Sequence, residues 1–116
     1  MKPIIDDEEV KELKEFVKHR FQDIAETYLR CSDEYVENIL KGFKDEDAVA
    51  IVDSAHPLKS SSGNLGLRAL SELALNIEET GSEVADGARN LTDLAPMIEQ
   101  LKDVHQKSAE ALREHI

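Results

Sequence analysis

Between Arg20 and Phe43 the apolar residues Phe21, Ile24, Ala25, Tyr28, Leu29, Tyr35, Val36, Ile39, Leu40 and Phe43 recur mostly at three- and four-residue spacing, which predicts one long amphipathic helix with Gly42 as its stop signal. The same spacing returns along the rest of the chain, and no segment alternates apolar and polar residues for long enough to form a strand. Helices that each carry one apolar stripe can bury it only against one another.

A short helix capped by Asp6 or Asp7 carries Val10, Leu13, Phe16 and Val17 and should end near Lys18. Asp45 is the expected N-cap of a third helix with Ala48, Ile51, Val52, Ala55, Leu58 and Leu65, ending between Gly63 and Gly66. A fourth runs from about Leu67 to Thr80, with Leu70, Leu73, Ala74 and Ile77 on one side. Gly81 and Gly87 bracket a polar stretch, after which Thr92 or Asp93 can cap a last helix carrying Leu94, Met97, Ile98, Leu101, Val104, Ala109 and Leu112. Pro96 then falls in its first turn, where a missing N–H costs least. The pattern predicts an all-α protein: an antiparallel four-helix bundle with a short additional N-terminal helix covering one end. The 116 residues suffice for one core and are too few for two, so residues 1–116 read as a single domain.

A formal net charge of −11 argues against nucleic acid and anionic membranes, which recruit clustered Lys and Arg, and leaves proteins as the expected partners. Cys31 is the only cysteine, so no internal disulfide or cysteine-rich metal site can form; a small half-buried residue is expected there. The segment from Met1 to Asp7 turns acidic before a signal-peptide core could develop, and no run approaches the roughly 20 apolar residues of a membrane span, which makes the cytoplasm the expected location. No His-Glu-x-x-His or Glu-x-x-His pair offers a metal site, and His19, His105 and His115 read as incidental surface residues.

The stretch from Ser54 to Gly66, SAHPLKSSSGNLG, stands apart. At about 100° per residue, Lys59, Ser60 and Gly63 fall within roughly 60° of His56 on a helical wheel. Ile51, Ala55, Leu58, Ser62 and Leu65 point the other way, so His56 should face solvent. A solvated imidazole titrates at about 6.5 and keeps a ring nitrogen free for nucleophilic attack at neutral pH. Lys59, one turn on, adds a positive charge where a bound phosphoryl group would sit, and the small Ser60 and Gly63 leave room for another protein's active site. Val49 and Val52 lie within about 40° of His56 on the same wheel. They belong either to a docking patch for a partner or to the packing against the second helix.

These residues resemble the histidine-phosphotransfer (HPt) family, whose motif runs roughly Ala-His-x-Leu-Lys-Gly-Ser-Ser-x-x-Leu-Gly, followed by a Leu-rich helix ending in Leu or Ile and then Glu. The chain supplies Ala55, His56, Leu58, Lys59, Ser61, Ser62, Leu65 and Gly66, then Leu70, Leu73, Ile77 and Glu78. The resemblance implies a phosphocarrier without kinase activity of its own, taking a phosphoryl group on His56 from a receiver-domain aspartate of a hybrid histidine kinase. It would pass the group to a response-regulator aspartate. It also implies attachment at Nε2, no cofactor on this chain, with Mg²⁺ held by the receiver, and a monomer. The alternative is a module of the same fold that binds and regulates a receiver or kinase without accepting phosphate. The Met1 start suits a stand-alone protein, and a domain cut from a hybrid kinase would look the same.

Two positions depart from the motif. Ser60 stands where the family has Gly, and Pro57 falls inside the expected helix, where it removes a hydrogen bond to the Asp53 carbonyl at a cost of about 3 kcal/mol and predicts a kink near Asp53 to His56. Arg68 is expected to cap or solvate, with attraction of the phosphate as the other reading, and Asn64 to end the helix in a left-handed conformation, to hydrogen-bond the site, or both. Ser60, Ser61 and Ser62 have no base nearby in sequence and read as small packing or clearance residues.

Overall fold

The computed structural model describes residues 2–116, so the Met1 start lies outside it. All regular structure among the described residues is helical. It comprises α1 (Asp7–Val17), α2 (Phe21–Lys44), α3 (Ala48–Asn64), α4 (Arg68–Ala85) and α5 (Ala95–Arg113), with 3-10 turns at Lys18–Arg20 and Leu91–Leu94. No helix among them is long and apolar enough to cross a membrane.

Asp6 caps α1 by accepting from the Glu9 N–H at 3.2 Å. The chain leaves α1 through Lys18, a non-glycine residue at φ 53°, and enters α2 after a single 3-10 turn. α2 runs on past Gly42, which is not its stop. Gly42 is buried where α3 crosses, and an added Cβ would come within 2.9 Å of Ile51 Cγ1. The expected N-cap of α3 also moves. Asp47, not Asp45, accepts from the Ala50 N–H at 3.0 Å, because Asp45 still closes α2 and pairs with Lys41, and Glu46 reverses the chain at φ 56°.

α3 stays helical through Pro57. The Asp53 carbonyl that Pro57 cannot serve lies on an exposed residue, where water can take the missing N–H's place. The left-handed residue after α3 is Gly66 (φ 70°), not Asn64, and its bare Cα lies against the Asp6 carbonyl. α4 is longer than its pattern suggests, ending at Ala85 instead of near Thr80, and it passes straight through Gly81. Asn90, not Thr92 or Asp93, makes the last cap, over the 3-10 turn that leads into α5; Asp93 answers as the reciprocal partner. Pro96 sits in the first turn of α5, as expected.

Contacts between neighbouring helices run in opposite chain directions. Gly42 meets Ile51 and Tyr28 meets Ser62 across α2 and α3; Val52 meets Gly81 and Lys59 meets Ser71 across α3 and α4. Their apolar stripes meet in one cluster that includes Ile39, Ile51, Leu58, Leu70, Ile77 and Leu101. A second cluster at the α1 end holds Val10, Phe21, Tyr28, Leu65, Leu67 and Leu112. Phe16 is not part of it: the ring is 85% exposed, on the outer side of α1.

The N-terminal residues are tied to the start of α4 by Asp6 N–H to Gly66 O at 2.8 Å and Ala69 N–H to Pro3 O at 2.9 Å. Glu9 pairs with Arg68, and Asp7 and Lys14 both reach His115, the first at its Nε2 and the second at its carbonyl. Behind α3 the buried Tyr28 hydroxyl shares a hydrogen bond of 2.9 Å with Ser62, and burial pushes its pKa up to about 12. Removing one partner of such a pair costs more than removing both. Ser62→Ala should therefore lower stability by about 1–2 kcal/mol, while Tyr28→Phe added to it recovers part of the loss. Chemical denaturation of the wild type and these two variants checks this, and equal stability of all three proteins would show that the pair contributes nothing.

Candidate functional site

His56 lies midway along α3, level with Tyr35 on α2, since the Gly42–Ile51 and Tyr28–Ser62 contacts fall on either side of it. Its side chain is 64% exposed. The orientation read from the helical wheel thus holds: Ala55 and Leu58 are buried, and the ring stands clear of them.

Two α3 side chains converge on one acid from α4. Glu78 takes the His56 Nδ1 on one carboxylate oxygen and the Lys59 ammonium on the other, the latter at 2.7 Å. With a side chain only 17% exposed, Glu78 is held between the two helices. The Lys59 hydrogen bond, and after it that of His56, keep its carboxyl below the usual carboxylate range, against the opposing effect of partial burial. A depressed pKa means that the contacts made by the ionised acid are present above the ordinary carboxylate pKa of about 4.3 and are lost as pH falls through the lower, folded value. Glu78 is therefore an anion at neutral pH and can only accept hydrogen bonds. Nδ1 must then carry the ring proton, and a neutral His56 has its lone pair on Nε2.

Ser60 is exposed beside the ring, its hydroxyl 3.5 Å from the His56 carbonyl, and it leaves the approach open. Gly63 does something other than clear that approach. Its missing Cβ would fall 3.1 Å from Ser71 Oγ on α4, so its smallness serves helix packing. Val49 is 60% exposed on the His56 side of α3. Val52 is half-buried and leans on α4 at Gly81, so it matches neither the free surface nor the packing against α2 expected for it. Arg68 is engaged by Glu9 of α1, as a helix-to-helix tie instead of a free phosphate ligand. Asn64 is the exposed last residue of α3, two turns from His56, beside a depression of about 480 Å³ between α2 and α3. The other histidines lie elsewhere: His105 pairs with Asp33 and His115 with Asp7, each more buried than a surface residue would be, while His19 stands exposed in the turn before α2.

Glu78 is the residue that sequence reasoning passed over. The Ile77-Glu78 pair was visible as the end of the motif, but its work depends on how α4 is registered against α3, which no spacing within one helix reveals.

Together these features describe a helical protein that presents one oriented, solvent-facing imidazole. Residues 23–111 match the family model of the Hpt domain, and the chain belongs to that family. The crystal structure of histidine-containing phosphotransfer protein B (HptB) from Pseudomonas aeruginosa PAO1 superposes with a TM-score of 0.80 at 22% identity, over 99% of this chain and 96% of that one. At that identity the likeness is one of fold. A comparison with curated proteins gives no match.

Proposed function

We propose that the protein is a phosphoryl carrier, built as an antiparallel four-helix bundle with a short additional N-terminal helix, in which Nε2 of His56 accepts phosphate from a receiver-domain aspartate of a hybrid histidine kinase. It then gives the group to an aspartate of a response regulator. The observation that carries this reading is the Glu78 carboxylate on Nδ1 of a ring that is otherwise open to solvent.

In the forward step the Nε2 lone pair attacks the phosphorus of the aspartyl phosphate. The N–P bond forms, the bond from phosphorus to the acyl oxygen breaks, and the aspartate leaves as a carboxylate. The ring, still carrying its Nδ1 proton, becomes cationic. Glu78 balances that charge without taking the proton, and the Lys59 ammonium, which pairs with the same carboxylate in the free protein, neutralises the phosphoryl oxygens. Reversal against a second receiver returns the lone pair to Nε2. The chain supplies position and charge, and Mg²⁺ belongs to the receiver.

The test is the chemistry of the product. Incubated with a phosphorylated receiver, the protein should take up label that is labile to acid, stable to alkali and carried by the peptide containing His56. An acid-stable label, or one on another peptide, would overturn the assignment.

Val49 belongs in this proposal as part of the receiver-docking patch, since it is a large apolar side chain left exposed on the nucleophile's side of α3. Val49→Asp places a carboxylate in the first turn of α3, where the helix dipole tolerates it. It should weaken receiver binding by about tenfold or more with no loss of melting temperature. Unchanged binding in a titration calorimeter would remove Val49 from the patch.

A further inference from the structure

Gly81 lies in the interior of α4, where glycine costs about 1 kcal/mol relative to alanine. Its backbone is ordinary helix, since the glycines with positive φ are Gly66 and Gly87, so conformation does not call for glycine here. Packing does. A Cβ at this position would come within 3.0 Å of Val52 Cγ2 and 3.7 Å of Ile51 Cγ2 on α3. Carbon atoms rest at about 3.5–4.0 Å, and a valine in a helix is nearly confined to one rotamer, so the helices would have to part by roughly half an ångström.

That contact is one turn from the chemistry. Val52 precedes His56 by four residues on α3, a rise of about 6 Å, and Gly81 follows Glu78 by three on the facing side of α4. At the other end of the site, Gly63 brings its bare Cα against Ser71, whose hydroxyl donates to the Lys59 carbonyl at 3.0 Å. Glu78 thus lies between two places where α3 and α4 touch with almost nothing between them. Because its two oxygens serve two partners, it cannot swing to recover one contact without lengthening the other.

We propose that Gly81 is a positioning residue for phosphoryl acceptance: its bare Cα against Val52 lets α4 lie near enough to α3 for Glu78 to hold His56 and Lys59 at once. This rests on His56 being the acceptor, but the decisive measurement does not. A parting of about 0.5 Å takes the 2.7 Å Lys59 bond to the limit of hydrogen-bond range, and the Nδ1 contact weakens with it. Nδ1 then loses its preference for the ring proton.

The experiment compares wild type, Gly81→Ala and Gly81→Ala/Val52→Ala, the last removing the methyl that the new Cβ would strike. Long-range proton–nitrogen NMR of the His56 ring reports which nitrogen carries the proton. Phosphoramidate, a small donor that needs no docking surface, reports reactivity; its P–N bond breaks and ammonia leaves as the Nε2–P bond forms. In Gly81→Ala the two ring-nitrogen shifts should converge and the phosphoramidate rate fall by about threefold to tenfold. The double variant should return both readings to wild type. Unchanged shifts and rate in folded Gly81→Ala would overturn the proposal, and so would failure of the double variant to restore them. If Gly81→Ala does not fold, the double variant decides alone, since it must fold with the wild-type ring tautomer. A chain that takes no phosphate from any receiver would sink the carrier reading and leave the tautomer result standing.

Discussion

With His56 replaced by glutamine, label transferred from a phosphorylated receiver should fall to background. Glutamine keeps the bulk and polarity of the position, but its amide has no lone pair able to displace an acyl phosphate. No second acceptor is ready to replace it. His105 is largely buried against Asp33, with its Nδ1 enclosed and unpaired, and His115 is tied to Asp7 at the α1 end. His19 is exposed but lies roughly 24 Å from the His56 level along α2, far from Lys59 and Glu78. Receiver binding should survive, because the exposed Val49 and the backbone of α3 are untouched. Equal labelling of wild type and His56→Gln would place the acceptor elsewhere. Labelling of neither, with binding retained in both, would favour a module that regulates a receiver without carrying phosphate.

The second large effect is expected at Glu78. In Glu78→Gln the shape is kept while an obligate acceptor becomes a group that can also donate. The amide can hold the ring with its N–H to Nδ1, which puts the proton on Nε2 and blocks the nucleophile, and it no longer balances the cationic ring. The maximal rate of phosphoryl acceptance should fall by about 10- to 100-fold, with little change in the receiver concentration needed for half-maximal rate. The lowered Glu78 pKa fixes the sign of its pH dependence. The acid stays ionised down past the ordinary carboxylate range, so it adds no inflection to the wild-type rate profile from about pH 5 upward. An unchanged rate in Glu78→Gln would reduce the carboxylate to a tie between helices.

Most of this was legible in the residues, and the boundary of legibility has a physical cause. The outward direction of His56 and the inward directions of Ile51, Ala55 and Leu58 follow from one helix's own periodicity, and the structure keeps them. What periodicity cannot supply is the register between helices. Glu78 joins His56 and Lys59, Gly63 faces Ser71, Val52 leans on Gly81 and Arg68 meets Glu9 only because separate helices are packed at particular heights. End signals failed for a related reason. Gly42 and Gly81 read locally as breakers, but both are glycine because α3 passes close by. Asp45 has the right side chain for a cap, but the sharp reversal at Glu46 starts α3 two residues later, at Asp47.

The sharing of one acid between two helices has a practical meaning for anyone who would shrink this protein. A stapled peptide copied from α3 would display the imidazole and the ammonium in proper order, yet it would lack the anion that tells the ring which nitrogen to offer. Any graft that is to keep the carboxylate on the ring must therefore carry α4 as well as α3. A grafted single helix should accept phosphate more slowly than the intact protein, by about the 10- to 100-fold expected for loss of the carboxylate, even when it is perfectly folded.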